Sequence, residues 1–111
     1  MRIGLGGIAK GYGVDRAADT LRARGFSRFV VDGGGDLRVE GQDLDGPWTV
    51  HVAHPRREAP PYDTIHLDRG AIVTSGDYFR YFEHDGVRYH HILDPATGQP
   101  ARRSASVTVL A

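Results

Sequence analysis

At 111 residues the chain has room for one domain and not two, and a chain of that size buries roughly two-thirds of its unfolded surface around one modest core. Fourteen Lys and Arg balance fourteen Asp and Glu without forming a basic stripe, which argues against nucleic acid and anionic membrane as partners. With no cysteine there is no disulfide framework and no thiolate metal site, and no apolar run is long enough for a signal-peptide core or a membrane span.

The first feature along the chain is the glycine-rich run Gly6-Gly7-Ile8-Ala9-Lys10-Gly11, which holds the single lysine of a chain that otherwise uses thirteen arginines. Glycines let main-chain N–H groups approach a ligand, a following helix aims its positive end at an anion, and a compact ammonium supplies a point charge. Phosphate is the ligand this chemistry suits; the plain alternative is a strand-to-helix turn with a solvated lysine. From 8 to 24 the apolar positions recur at helical spacing and Gly25 offers a left-handed stop, which predicts a helix.

After the helix the period changes. Residues 28–31 form a short apolar run, Asp32-Gly33-Gly34-Gly35-Asp36 interrupts it, and 37–40 alternate in strand fashion. Three consecutive glycines exceed what a hairpin turn needs, so close approach of a phosphate or ribose is expected there, with a carboxylate to accept a hydroxyl. Residues 48–52 alternate strictly, placing Trp48, Val50 and Val52 on one face, and the proline-rich stretch 55–62 reads as a surface loop. Strands are expected at 64–67 and 71–74, and then as 78–83 and 87–90 flanking a His84-Asp85-Gly86 hairpin signal; 106–110 is the last strand. One early helix followed by strands that do not alternate with helices predicts an α+β fold over a single domain, 1–111, with the helix packed on a mostly antiparallel sheet.

Two later motifs carry hydroxyls and imidazoles. Thr74-Ser75-Gly76-Asp77 would offer donors to a phosphoryl group, or would simply be a Ser/Thr turn ending a strand. In His90-His91-Ile92-Leu93-Asp94-Pro95-Ala96-Thr97-Gly98 the proline and glycine predict a turn that gathers His91 and Asp94, and an imidazole oriented by a carboxylate can act as a base. Neighbouring histidines on a strand point to opposite faces, so at most one serves any given site. There is no H-E-x-x-H, EF-hand or G-x-S-x-G pattern, which sets aside a zinc protease, a calcium loop and a serine hydrolase.

Taken in order, GGIAKGYGVDRA from Gly6, VDGGGDLRVEG from Val31, the Trp48-Thr49-Val50 strand, TSGDYFRYFE from Thr74 and YHHILDPATGQPA from Tyr89 resemble the ApbE family, the FAD:protein FMN transferases, over nearly the whole chain. The resemblance implies a T-fold-like architecture and a magnesium-dependent enzyme that splits FAD, joins FMN to a threonine of an acceptor flavoprotein and releases AMP. It implies FAD-contacting roles for Lys10, for Gly33, Gly34, Gly35 and Asp36, for Ser75 and Gly76 beside the flavin-side phosphate, and for His91 and Ile92 against the flavin. His91 is the implied handler of the threonine proton. Gly7, three residues before the lysine, falls where the family offers a magnesium ligand, and only its carbonyl oxygen can serve.

The departures are as specific as the matches. Gly4 stands where the family usually carries an aspartate, and the family's N-terminal flavin contacts and its Asp-Ala-x-x-Thr metal segment have no counterpart, so this chain is expected to be a partial unit that binds magnesium feebly. A non-catalytic FAD- or nucleotide-binding remnant and a hydrolase of the FAD pyrophosphate are therefore the alternatives. An unpaired strand edge would allow pairing between copies, a homodimer, and the resemblance implies the bacterial periplasm or cell envelope.

Overall fold

The computed structural model describes residues 3–56 and 59–111. A helix, α1 (Ala9–Ala23), precedes eight strands: β1 (Phe29–Asp32), β2 (Asp36–Glu40), β3 (Trp48–Val52), β4 (Asp63–Leu67), β5 (Arg69–Gly76), β6 (Tyr81–His84), β7 (Val87–His90) and β8 (Ser106–Leu110). Four of them form an antiparallel sheet in the order β1-β2-β5-β8, and the other four make two hairpins, β3-β4 and β6-β7. This is the expected α+β fold. Each hairpin is an excursion from the central meander, the first between β2 and β5 and the second between β5 and β8.

Helix α1 forms despite two interior glycines, each costing about 1 kcal/mol relative to alanine, because one stripe of it is fastened to the sheet. Val14 and Ala18, four residues apart, are buried, and one turn further Arg22 reaches Glu40 of β2. The helix stops where glycine makes stopping cheap: Gly25 has φ +88°, its N–H donates to Arg22, and the Phe26 N–H donates to the Leu21 carbonyl, closing a Schellman motif.

Register assigns residues to the two faces of the sheet, since directly opposed residues share a face. Val30, Val39 and Gly70 are opposed, as are Leu37, Ile72 and Leu110. On that face Val39 and Ile72 are buried, and the β3-β4 hairpin lies against it: Leu67 contacts Gly70, and Trp48 donates through Nε1 to the Glu40 carbonyl at 3.4 Å. Trp48, Val50 and Val52 do turn to one side, opposite Leu67, Ile65 and Asp63, with Thr49–His66 and His51–Thr64 hydrogen bonds on the solvent side. The other face holds Asp36, Arg38 and Glu40 of β2, and α1 covers it there.

At the Arg22 end of α1 the buried Glu40 carboxylate sits between two guanidiniums, Arg22 Nη2 at 3.1 Å and Arg69 Nε at 2.6 Å, with a second bond from Arg69 Nη2. The plate is thin, 52 × 42 × 18 Å, and its radius of gyration of 16.6 Å exceeds the roughly 13 Å of a compact domain of this length. Its accessible surface is 8419 Å², against about 6,000 Å² for a self-contained protein of 12.2 kDa. The modest core expected from length is thus smaller still, because the face beside α1 leaves Val107 and Val109 of β8 uncovered.

Two local expectations change. Ser75 and Gly76 belong to β5 and do not form a turn, because ladder pairing continues through Ser75–Val107 and Gly76–Ser106. The second hairpin is shorter than its aromatic run: Tyr78 leaves the strand and is buried across Gly76, so β6 begins only at Tyr81.

Candidate functional site

The chain path puts one end of the central sheet in charge of almost every candidate residue. The N-terminus of α1, the β1-β2 turn, the C-terminal end of β5 and the N-terminal end of β8 all lie there, and the β6-β7 excursion leaves from and returns to the same end. The opposite end carries the Glu40 ion pairs and the C-terminus of α1.

Lys10 and the triple-glycine turn are in direct contact. The Lys10 ammonium lies 2.6 Å from Asp36 Oδ1 and donates to the Gly34 carbonyl at 3.3 Å. This closeness depends on Gly33: a methyl group there would stand 2.5 Å from Val14 Cγ2 and 3.7 Å from Lys10 Cγ. Gly34 and Gly35 serve differently, with φ of +82° and +92° and open space around them, so their lack of a side chain answers to backbone conformation.

The amides of this turn do not await a phosphate. The Gly34 and Gly35 N–H groups both donate to Asp32 Oδ1 at 2.8 Å, and the Gly33 N–H donates to the Asp36 carbonyl at 3.0 Å. The nest already holds an anion, the chain's own Asp32 carboxylate, whose pKa the Gly35 and Gly34 amides hold below its ordinary value. The free donors are at the helix instead. Ala9 N–H is taken by the Leu5 carbonyl and Tyr12 N–H by Ile8, whereas the Lys10 and Gly11 amides have no acceptor among the described backbone groups. The ammonium, with three protons and two protein acceptors, keeps one to offer. Around Gly6, Gly7 and Gly11 no atom would touch an added methyl group, so this corner is open to a ligand.

Ser75 shares the helix-covered face: Asp36 opposes Val73, and Ser75 lies two residues on, about 7 Å further along the strand. Gly76 points to the other face, and its need for glycine is met inside the fold by the Tyr78 ring. Gly7 lies in the turn before α1. His91 and Ile92 follow β7 on the connection back to β8, where His91 is exposed beside Tyr89, Phe82 and Leu93. No hydrogen bond among the described residues ties His91 to the Lys10 corner. Asp94 does not orient His91: its Oδ1 accepts from the Ala96 N–H at 2.9 Å, and its carbonyl accepts from Gly98 at 2.8 Å, so it shapes the turn.

Among the described residues no group of three His, Asp or Glu could hold a metal ion. Gly7 contributes a carbonyl at most, Gly4 has no side chain, and Asp36 is committed to Lys10, so the residues present do not fit a magnesium shell of about six oxygens. Sequence reasoning also passed over a charged cluster at this end, Arg56, Asp77 and Arg88, because its members lie far apart in the chain and meet only through the fold. A cavity of about 470 Å³ between the β3-β4 hairpin and β8 opens on the other face, away from Lys10.

Comparison with known proteins agrees with this geometry. The family model described as the ApbE family matches residues 1–111. The chain is 46% identical to the FAD:protein FMN transferase of Vibrio cholerae over 97% of its own length and 33% of the relative's, and 36% identical to the FAD:protein FMN transferase of Escherichia coli K12 over 98% and 32%. Among solved structures, the ApbE protein of Thermotoga maritima superposes with a TM-score of 0.88 at 50% identity, covering 99% of this chain and 36% of that one. The apo flavinyl transferase ApbE of Pseudomonas stutzeri superposes with a TM-score of 0.81 at 40% identity, covering 99% and 34%. The chain therefore spans about a third of the length of the relatives it matches. With the match running through every motif from the lysine loop to the last strand, the chain belongs to the ApbE family.

Proposed function

We propose that this chain forms the FAD-diphosphate corner of a flavin transferase that moves FMN from FAD to a threonine of an acceptor flavoprotein and releases AMP. The observation that supports this most is the contact between Lys10 and the triple-glycine turn beside two unpaired helix amides, which gathers an ammonium proton and main-chain donors of the kind a diphosphate requires. The reaction balances without redox chemistry. The threonine oxygen attacks the FMN-side phosphorus, the P–O bond to the AMP phosphate breaks, and the hydroxyl proton passes to a base, for which exposed His91 is the candidate. Lys10 and the Lys10 and Gly11 amides hold and neutralise the diphosphate, Ser75 and Gly76 flank the FMN-side phosphate, and Gly33 to Asp36 with Ile92 complete the FAD contacts. Magnesium dependence would rest on the Gly7 carbonyl, and the residues present do not complete the ion's shell. By the same family resemblance it works in the bacterial periplasm or cell envelope.

Calorimetry of the chain with FAD tests the corner: Lys10→Ala removes a charge-assisted bond and should weaken FAD binding roughly 10- to 100-fold. Unchanged affinity removes Lys10 from the site. This third of the relatives' length is not expected to transfer FMN alone; transfer is read by mass spectrometry of a threonine-bearing acceptor incubated with FAD, magnesium and a chain that also carries the family's flanking regions, and an acceptor without added mass overturns it. The incomplete magnesium shell favours a second reading, a remnant that binds FAD and leaves it intact; chromatography detecting FMN and AMP without acceptor would favour pyrophosphate hydrolysis instead.

A further inference from the structure

Just past Ser75 and Gly76, the chain builds a pocket that the FAD reading does not use. It has a volume of about 250 Å³ and is lined on its charged side by Arg56, Arg88, Arg102 and Asp77, with His90 and Ser104 beside them. Three guanidiniums against one carboxylate leave a surplus of two positive charges in the lining, or one when Glu83, which binds Arg88 from outside it, is counted.

Two of the three cations, Arg56 and Arg88, are held in place by other side chains, and the exposed Arg102 is not. Arg88 lies over the Tyr81 ring at 4.0 Å and gives Nε and Nη2 to Glu83 Oε1 at 3.2 and 3.0 Å. Its Nη1 stands 3.6 Å from Asp77 Oδ1, the same oxygen that Arg56 Nη1 approaches at 3.1 Å, so Asp77 serves as a shared pivot for both forks. Asp77 is itself anchored, its N–H donating to the Ala105 carbonyl at 2.9 Å. Arg56 keeps Nε and Nη2 free among the described contacts, and Arg102 makes no ion pair with any described residue. His90 Nε2 lies 3.0 Å from the Ala101 carbonyl and must donate to it, while its buried Nδ1 has no partner. Holding guanidiniums in a planar, pre-paid arrangement suits a tetrahedral oxyanion, which accepts from several forks at once.

We propose that this pocket binds a phosphomonoester group, with Arg56, Arg88 and Arg102 as its donors. The inference goes beyond the FAD reading and does not depend on it, although a nucleoside monophosphate released by the proposed reaction would carry this group. The shared chemistry has two sources, free inorganic phosphate and a nucleotide, and titration separates them.

Calorimetry of the chain at low ionic strength with inorganic phosphate, and separately with AMP, is expected to give saturable binding of both. AMP at least about tenfold tighter identifies a nucleotide pocket, and equal affinity identifies a phosphate pocket. Arg102→Ala, which breaks no described contact, should weaken both probes about tenfold, the loss expected for one charge-assisted hydrogen bond, and Arg56→Ala should do the same. Arg103→Ala, outside the lining, should leave both unchanged. Arg88→Met is informative only with an unaltered circular dichroism spectrum, and the Arg102 and Arg56 variants decide the matter without it. No saturable binding of either probe, or binding indifferent to both variants, overturns the proposal. So does phosphate affinity that falls with Lys10→Ala, since that would place the anion at the helix; phosphate binding that survives while FAD binding is lost keeps the two sites distinct.

Discussion

Replacing Gly33 with alanine should tear the helix from the turn that it now touches. The added carbon would stand 2.5 Å from Val14 Cγ2, about 1.0–1.5 Å inside an ordinary carbon–carbon contact of about 3.5–4.0 Å. Val14 is only 7% exposed, so it cannot swing aside into water, and its helix is held by few other buried side chains. Overpacking of this kind costs roughly 1–3 kcal/mol. Taking 2 kcal/mol and a urea dependence of about 2 kcal/mol per molar, the midpoint should fall by roughly 1 M. Unfolding is readable from the single tryptophan, Trp48, and from circular dichroism. Lys10 lies one turn before Val14, so a displaced helix also lengthens the 2.6 Å contact with Asp36, and FAD affinity should fall with stability. Val14→Ala in the Gly33→Ala background should restore part of the loss, with a coupling of about 1 kcal/mol in the double-mutant cycle. Gly34→Ala provides the contrast: its cost arises from a φ of +82° in open space, so Val14→Ala should not relieve it. A Gly33→Ala protein with an unshifted midpoint, or one that Val14→Ala fails to help, would refute the close packing on which the corner rests.

Acid should loosen the other end of the sheet. Burial pushes the Glu40 carboxyl up, but hydrogen bonds from Arg69 and Arg22 outweigh it and hold the group below its ordinary 4.5. A folded pKa below the unfolded one means the stabilisation is fully present above about pH 4.5 and is lost as pH falls through the folded value; Asp32, held down by the Gly35 and Gly34 amides, has the same sign. Melting temperatures should therefore drop below that pH. Glu40→Gln should lose roughly 1–2 kcal/mol at pH 7, a moderate cost because the Arg22 and Arg69 guanidiniums left behind reach solvent, and should flatten the acid slope; melts indifferent to pH between 3 and 7 would discard the account. At Asp94, asparagine keeps an oxygen for the Ala96 amide, so Asp94→Asn should preserve both the fold and the pH profile of any transfer activity, whereas Asp94→Ala costs about 1 kcal/mol. A profile displaced by Asp94→Asn would reinstate that carboxylate as the partner of His91. Strand β8 has one unpaired edge and exposes Val107 and Val109, so sedimentation should detect a dimer at high concentration that Val107→Lys disperses. A strict monomer ends that reading.

Local chemistry was enough to determine the elements. Periodicity marked α1 and its glycine stop, strict alternation turned Trp48, Val50 and Val52 to one side, and Asp85-Gly86 announced the β6-β7 hairpin, because each signal is carried by residues within a few positions of one another. The ordered motifs likewise pointed to the family. What the chain could not disclose locally was which groups would be used up inside the fold. Asp32 occupies the Gly34 and Gly35 amides, Tyr78 accounts for Gly76, and Asp94 uses its carboxylate on its own turn. Only the tertiary structure decided that Lys10 meets Asp36 across 26 residues, and that Arg56, Asp77 and Arg88 converge beside β5. The reason is physical: strand register and the packing of Val14 on Gly33 are set by contacts between distant segments, and donors or acceptors are free or taken only once those contacts exist.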